Sequence, residues 1–119
     1  ENWIDEGGSM APSISTTVER ERLKSIADRL RHKYGAVRVI LFGSMAHDTA
    51  TEHSDIDLLV IAETAERFYE RSASVLRIVR ELSYGLPLAP IVLSPQELQA
   101  RLDRGDQFIA EVVETGVDL

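Results

Sequence analysis

Apolar positions change their period along the chain, and each change marks an element. Val18, Leu23, Ile26, Ala27, Leu30 and Tyr34 recur at helical spacing. Thr16 with Glu19 three residues later makes a capping-box pattern ahead of them, and Gly35 suits a left-handed stop. Residues 37–42 then run VRVILF, the pattern of a buried strand. A short helix is expected over 44–50 and a second strand, DIDLLVI, over 55–61. Residues 65–84 predict a long helix with Phe68, Val75, Val79 and Leu82 on one face, ended by Gly85. Residues 88–93 read as a third strand interrupted by Pro90. Ser94-Pro95-Gln96-Glu97 is a helix start: serine as N-cap, proline first, glutamate closing the box. A last helix is expected over 106–115, with Phe108, Ile109, Val112 and Val113 facing inward. The order is αβαβαβαα, an α/β (α+β) chain whose apolar strands call for a sheet covered by helices.

Residues 1–15 lack periodicity, and Gly7-Gly8-Ser9 ahead of Met10 resembles a flexible linker or cloning remnant. They are expected to be disordered, leaving residues 16–119 as one domain. The 119 residues are 44% hydrophobic and 28% charged, which is ordinary for a soluble globular domain with one core. Cysteine is absent, which excludes a disulfide framework and a thiolate zinc site. No apolar run is long enough to span a bilayer, so a cytoplasmic protein without membrane attachment is expected. The net charge of -7 argues against general nucleic-acid binding, because a phosphate backbone would be repelled. It leaves room for a single nucleotide held through a cation.

The chemistry concentrates between the first two strands. Gly43-Ser44 is followed, after ten residues, by Asp55-Ile56-Asp57. Carboxylates at i and i+2 of a strand point the same way. Beside a Gly-Ser turn, such a pair supplies what a magnesium–nucleotide site requires: hard oxygen ligands for the ion, backbone amides and a hydroxyl for phosphates. Gly43 lets backbone approach a phosphate closely, and Ser44 opens the short helix, where free N–H groups favour an anion. Asp57 shares its face with Leu59 and Ile61, so the site belongs at the start of the strand, beyond the core.

This G-S-x10-D-x-D pattern, on a strand, turn, short helix and strand, resembles the minimal nucleotidyltransferases of the polymerase-beta superfamily. The resemblance runs from Thr16 onward in element order as well as motif. It implies a small mixed sheet flanked by helices, with Asp55 and Asp57 as the catalytic, Mg2+-holding pair and Gly43 and Ser44 as nucleotide-binding residues. The reaction implied is attack of an acceptor oxygen on the alpha phosphorus of a nucleoside triphosphate, ATP by expectation, with loss of pyrophosphate. Stand-alone members of this kind resemble antitoxins that transfer AMP to a tyrosine of a HEPN-type toxin. The resemblance therefore implies a hetero-oligomer with such a toxin. No second domain to hold an acceptor is expected, which also points to a protein partner.

The chain departs from the family pattern in three places. A third carboxylate is common on the neighbouring strand. Alignment puts Pro90 at that position, and no Asp or Glu lies between Glu81 and Glu97. His47 stands where an arginine is usual and Asp48 where a glycine is usual, so a permanent charge becomes a titratable one. Asp48 is a weaker candidate for the absent acid. Pro90, lacking an N–H, suits an edge strand. His32 and His53 read as surface residues, and the three histidines show no zinc spacing. Arg67, Arg71, Arg77 and Arg80 read as a solvated face interleaved with Glu66, Glu70 and Glu81. Two further functions stay open: a catalytically impaired protein that neutralises its partner by binding alone, and a small-molecule nucleotidyltransferase completed by homodimerisation.

Overall fold

The computed structural model describes residues 17–47 and 54–119. Helix α1 (Thr17–Lys33) leads into β1 (Ala36–Phe42), a 3-10 turn at Gly43–Met45, and β2 (Ile56–Ala62). Then follow α2 (Phe68–Ile78), β3 (Leu88–Leu93), α3 (Pro95–Asp103), α4 (Gln107–Thr115) and a two-residue strand, β4 (Val117–Asp118). The sheet order is β3-β2-β1-β4. Strands β1 and β2 are antiparallel, as a short connection allows; β2 and β3 are parallel, because α2 carries the chain back across the sheet. The sheet is thus small, mixed and flanked by helices.

Both faces of β1 and β2 are covered. Leu23, Ile26, Ala27 and Leu30 of α1 pack with Val75 and Val79 onto Val39, Leu41, Leu58 and Val60. On the other face Ile109 and Val112 of α4 cover Ile40, Phe42, Leu59 and Ile61. Each fully buried Leu or Ile contributes about 1.5–3 kcal/mol, so these two clusters account for most of what holds the layers together. Val37 is an exception to the buried-strand pattern. The β1–β2 register shifts between Ala36 and Arg38, and Val37 is the extra, exposed residue of that bulge.

Four other expectations change. The second strand begins at Ile56, so Asp55 is the residue before the strand rather than its first member. The short helix over 44–50 is a 3-10 turn at Gly43–Met45, its remainder lying partly outside the described residues, as do Thr16, Asp48, His53 and the whole of 1–15. The long helix is cut at both ends to Phe68–Ile78. Carbonyls at its end and in the stretch that follows find partners on α1: Arg29 donates to Ile78 O at 3.2 Å, and Arg22 donates to Leu82 O and Tyr84 O at 3.1 and 2.6 Å. Those bonds satisfy a winding stretch that a continued helix would otherwise have to satisfy internally. The third strand is not interrupted, for it runs through Pro90 in register with Leu58. It lies at the sheet edge, where a missing N–H costs no ladder bond.

The solvated-arginine reading holds for Arg67, Arg77 and Arg80, which are exposed, and fails for Arg71. Arg71 is buried at 6% exposure and pairs with Glu97 through two bonds of 2.6 and 3.1 Å. It also donates to Glu66 O at 3.1 Å and Val92 O at 3.2 Å, tying α2 to β3 and to the start of α3. Phe68, expected on the buried face, is instead 55% exposed and lies under the Arg71 guanidinium at 5.6 Å. Glu97 does double duty: it accepts from Ser94 N at 2.8 Å, while its own N–H donates to Ser94 Oγ at 3.1 Å. This closes the capping box that opens α3.

Candidate active site

The end of β1 and the start of β2 meet at one end of the sheet, between its two central strands. Phe42 ends β1 in extended conformation, and Gly43 turns the chain at φ +78. The turn is held by Ala46 N donating to Gly43 O at 3.1 Å and His47 N to Ser44 O at 3.2 Å. Met45, 2% exposed, anchors it in the α1-side core. Burying this methionine keeps Gly43 and Ser44 at the rim of the sheet.

Across from Phe42 in the register stands Asp57. The two backbones approach so closely that a Cβ on Gly43 would fall on Asp57 Oδ2 and lie 3.3 Å from its Cγ. Both the positive φ and this contact require glycine. Asp55 is exposed and Asp57 half-buried. Burial pushes the Asp57 carboxyl above its ordinary value, and the negative charge of Asp55 pushes it further the same way. Among the described residues, neither carboxylate has an ion pair or a side-chain hydrogen bond. Asp57 and Gly43 are thus brought into contact, Ser44 is next along the turn, and Asp55 is near enough to Asp57 for its charge to act on it.

The structure corrects the position of the absent third acid. Ala89, not Pro90, is the β3 partner of Asp57. Alternation turns Ala89 to the Asp57 face and Pro90 to the opposite one. Neither brings a carboxylate, and among the described residues no group of three His, Asp or Glu is placed to hold a metal.

One part of the site escapes the sequence reading. A cleft of about 140 Å³ opens beside Gly43, lined by Phe42, His47, Phe108, Glu111, Val112 and Thr115. Helix α4 forms its outer wall. Phe108, expected to face inward with Ile109, Val112 and Val113, is 53% exposed at the cleft and meets Phe42 edge-on, 5.7 Å between centroids at 78°. The buried stripe of α4 is narrow, Ile109 and Val112, and Phe108 flanks it. The sequence signal for this was a large aromatic at the margin of an amphipathic stripe, which helical period alone assigns to the core. His32, on the far side of the molecule's α1, is exposed and bonded to Asp28 O at 2.9 Å.

No helix among the described residues is long and apolar enough to cross a membrane. Residues 23–116 match the model of the nucleotidyltransferase domain family. The chain is also 36% identical over 93 residues to the Methanocaldococcus jannaschii protein named "Putative protein adenylyltransferase MJ1305". That match covers 71% of this chain and spans 63% of the relative's length. Domains of this family generally use divalent metal ions. With the matched span containing the Gly-Ser turn, both aspartates and the α4 wall, the chain belongs to the nucleotidyltransferase domain family.

Proposed function

We propose that this chain transfers AMP from Mg-ATP to a hydroxyl of a protein acceptor, and that the acceptor is a HEPN-type toxin which the modification neutralises. The observation that carries the reading is the Asp55–Asp57 pair set against Gly43. Asp57 is half-buried, and its carboxyl is raised first by that burial and then by the charge of Asp55, with no neutralising side chain among the described residues. A divalent cation relieves that repulsion, and two aspartate oxygens are the hard donors Mg2+ prefers. Asp55 and Asp57 would hold it. When bound, the ion supplies Lewis-acid stabilisation of the charge developing on the phosphate oxygens.

The remaining work falls to the chain. The Gly43 turn brings backbone within reach of the phosphates, and Ser44 adds a hydroxyl and an amide. In the transfer, the acceptor oxygen forms a bond to the alpha phosphorus. The bond from that phosphorus to the bridging oxygen breaks, pyrophosphate leaves, and the acceptor proton passes to solvent. The relative's name supports an adenylyl donor and a protein acceptor; the toxin partner follows from the resemblance in the sequence. The test is a transfer assay with ATP labelled at the alpha phosphate, Mg2+ and the product of the neighbouring gene. Label on the partner, lost with Asp55→Asn, is expected.

A second reading is favoured by Ala89. Without an acid at that position the acceptor hydroxyl lacks a general base from β3, and the fold would neutralise its partner by binding alone. A stable complex with no label, unchanged by Asp55→Asn, would establish this reading and overturn the first.

A further inference from the structure

Exposed apolar side chains are unevenly spread. Of the seven large ones among the described residues, four fall on one segment: Phe68, Tyr69, Leu76 and Tyr84. A contiguous apolar surface of this kind marks a contact site. The outer face of α2 carries Tyr69, Ala73 and Leu76, all exposed, and Arg80 is exposed in the turn after it. Their spacing is four, three and four residues, the period by which one helix receives another. Ala73, small and central, lets a second backbone come close.

Charge marks the same face. Arg67, Arg77 and Arg80 are exposed, and among the described residues none of them makes an ion pair, whereas Arg71 on the inner side of the helix does. Arg67 donates to Tyr69 Oη at 3.4 Å and Arg77 to Ser74 Oγ at 3.3 Å, both hydroxyls. Glu70, the acid between them, is turned to the helix start, where it accepts from Arg67 N at 3.1 Å. A chain of net charge -7 thus holds a local cluster of cations beside an apolar stripe. The face also has a direction. Joining two parallel strands, α2 runs back towards the start of β2. The stretch after it carries Tyr84, 87% exposed, and ends where Ile56 N donates to Pro87 O at 2.8 Å. Ile56 lies between Asp55 and Asp57, so the face leads to the carboxylate end.

We propose that the outer face of α2 docks the protein acceptor, which meets it with an acidic amphipathic helix. Apolar residues of that helix seat on Tyr69, Ala73 and Leu76, and its carboxylates face Arg67, Arg77 and Arg80. Tyrosine and arginine are the side chains in which interface energy concentrates, and opposite charge speeds encounter and fixes register. An RNA strand is drawn to arginines and rings as well, but it has no use for a stripe at helical spacing, and the net charge opposes it. This inference rests on the reading that the acceptor is a protein and adds where, and by what chemistry, it binds.

The test measures binding of the full chain to the product of the neighbouring gene by calorimetry, beside transfer of label from ATP. Ala73→Glu and Arg80→Glu are each expected to weaken the complex about tenfold or more. Arg104→Glu makes the same charge change at the exposed end of α3 and is expected to stay within about twofold. All three positions are exposed, so the parent's melting temperature should be kept. Benzoylphenylalanine in place of Leu76 is expected to crosslink to a partner segment with Asp or Glu at helical spacing. Asp57→Asn keeps the complex and loses the label. If both face variants bind like the parent while the parent labels the partner, this inference falls and the transfer reading stands. Equal weakening by Arg104→Glu, or a crosslink to a segment without acids, also overturns it. So does loss of a single-stranded RNA oligonucleotide from the face variants with the protein complex unchanged. If the face variants break a complex that the parent never labels, docking stands and transfer falls. A parent that forms no complex overturns both.

Discussion

The two ends of β2 both carry carboxylates, and they are built in opposite ways. Beyond the C-terminal end, Glu66 accepts from Ser74 Oγ and from Tyr34 Oη, the latter at 2.7 Å, and these bonds, that of Ser74 first, hold its carboxyl below its ordinary value. Arg71 sits over the same corner with its guanidinium bonded to Glu66 O, Val92 O and Glu97. At the N-terminal end, burial and then the charge of Asp55 push the Asp57 carboxyl upward instead. One end is closed: its charges are matched within the chain, and the match ties helices to strands. The other is open: among the described residues neither Asp55 nor Asp57 has an ion pair, and the charge of one acts on the other. A fold that stabilises its far corner with paired charges can tolerate an unpaired cluster at the near one.

The sharpest break of this contrast is Asp57→Asn. On the proposed reading it removes a metal donor, and it removes half of a repulsion while keeping the shape. Transfer activity is expected to fall by about a thousandfold, the scale of losing several kcal/mol of charge stabilisation. Thermal stability is expected to stay level or rise, since a half-buried, unpaired charge is gone. A variant that loses stability along with activity would mean that Asp57 is a structural residue, and the open end would not be open.

Arg71→Ala attacks the closed end and should invert that result. It strands Glu97 and two backbone carbonyls, and the expected loss is about 3 kcal/mol of folding stability in urea or thermal unfolding. Nucleotide binding should survive in whatever fraction stays folded, because Arg71 reaches no residue of the Gly43 turn. A loss below about 0.5 kcal/mol, the scale of an ordinary surface change, would return Arg71 to the solvated face that helical charge patterning assigned it.

Gly43→Ala falls between the ends in kind and below them in size. The left-handed φ costs a non-glycine residue roughly 1–2 kcal/mol, and the new methyl displaces the Asp57 carboxylate. A modest drop in melting temperature with a disproportionate loss of nucleotide affinity is expected. A drop in stability with unchanged affinity would show that the close approach of Gly43 and Asp57 serves folding alone.

The open end was the more legible of the two in the sequence. Glycine, serine and two aspartates at fixed spacing are a local pattern, and they fall on a turn and a strand start that period-two and apolar runs reveal. The boundary was wrong by one residue, because Asp55 precedes the strand whose direction it was assumed to share. The closed end was nearly invisible. Arg71 pairs with Glu97 across 26 positions, and nothing in the α2 charge pattern distinguishes it from Arg67 or Arg77. The same holds for Phe108: its period fits the core stripe, and only the crossing of α4 over the end of β1 turns it to the cleft. The Ala89–Asp57 pairing needed the parallel register, since an offset of one residue moves a side chain to the other face of the sheet. The short strand β4 was missed because two residues carry no period.

The smallest effect is one of pH, and it again belongs to the closed end. Bonds from Arg71, then from Ser94 N–H, hold Glu97 at about 2 against an ordinary 4.5. The unfolded chain therefore takes up that proton at higher pH than the folded one. The stability Glu97 contributes is complete above pH 4.5 and is lost as pH falls towards about 2. Glu66 is lowered too and acts in the same sense. Because the Glu97 side chain is 43% exposed, solvent screens the pair and the share attributable to it is well below what the shift alone would suggest. Urea midpoints of the parent and Glu97→Gln, compared at pH 7, 4 and 3, isolate that share. The parent is expected to be the more stable at pH 7, with the gap narrowing at each step down. A gap that stays constant with pH would mean that Glu97 contributes through the Ser94 capping box and its shape, not through its charge on Arg71.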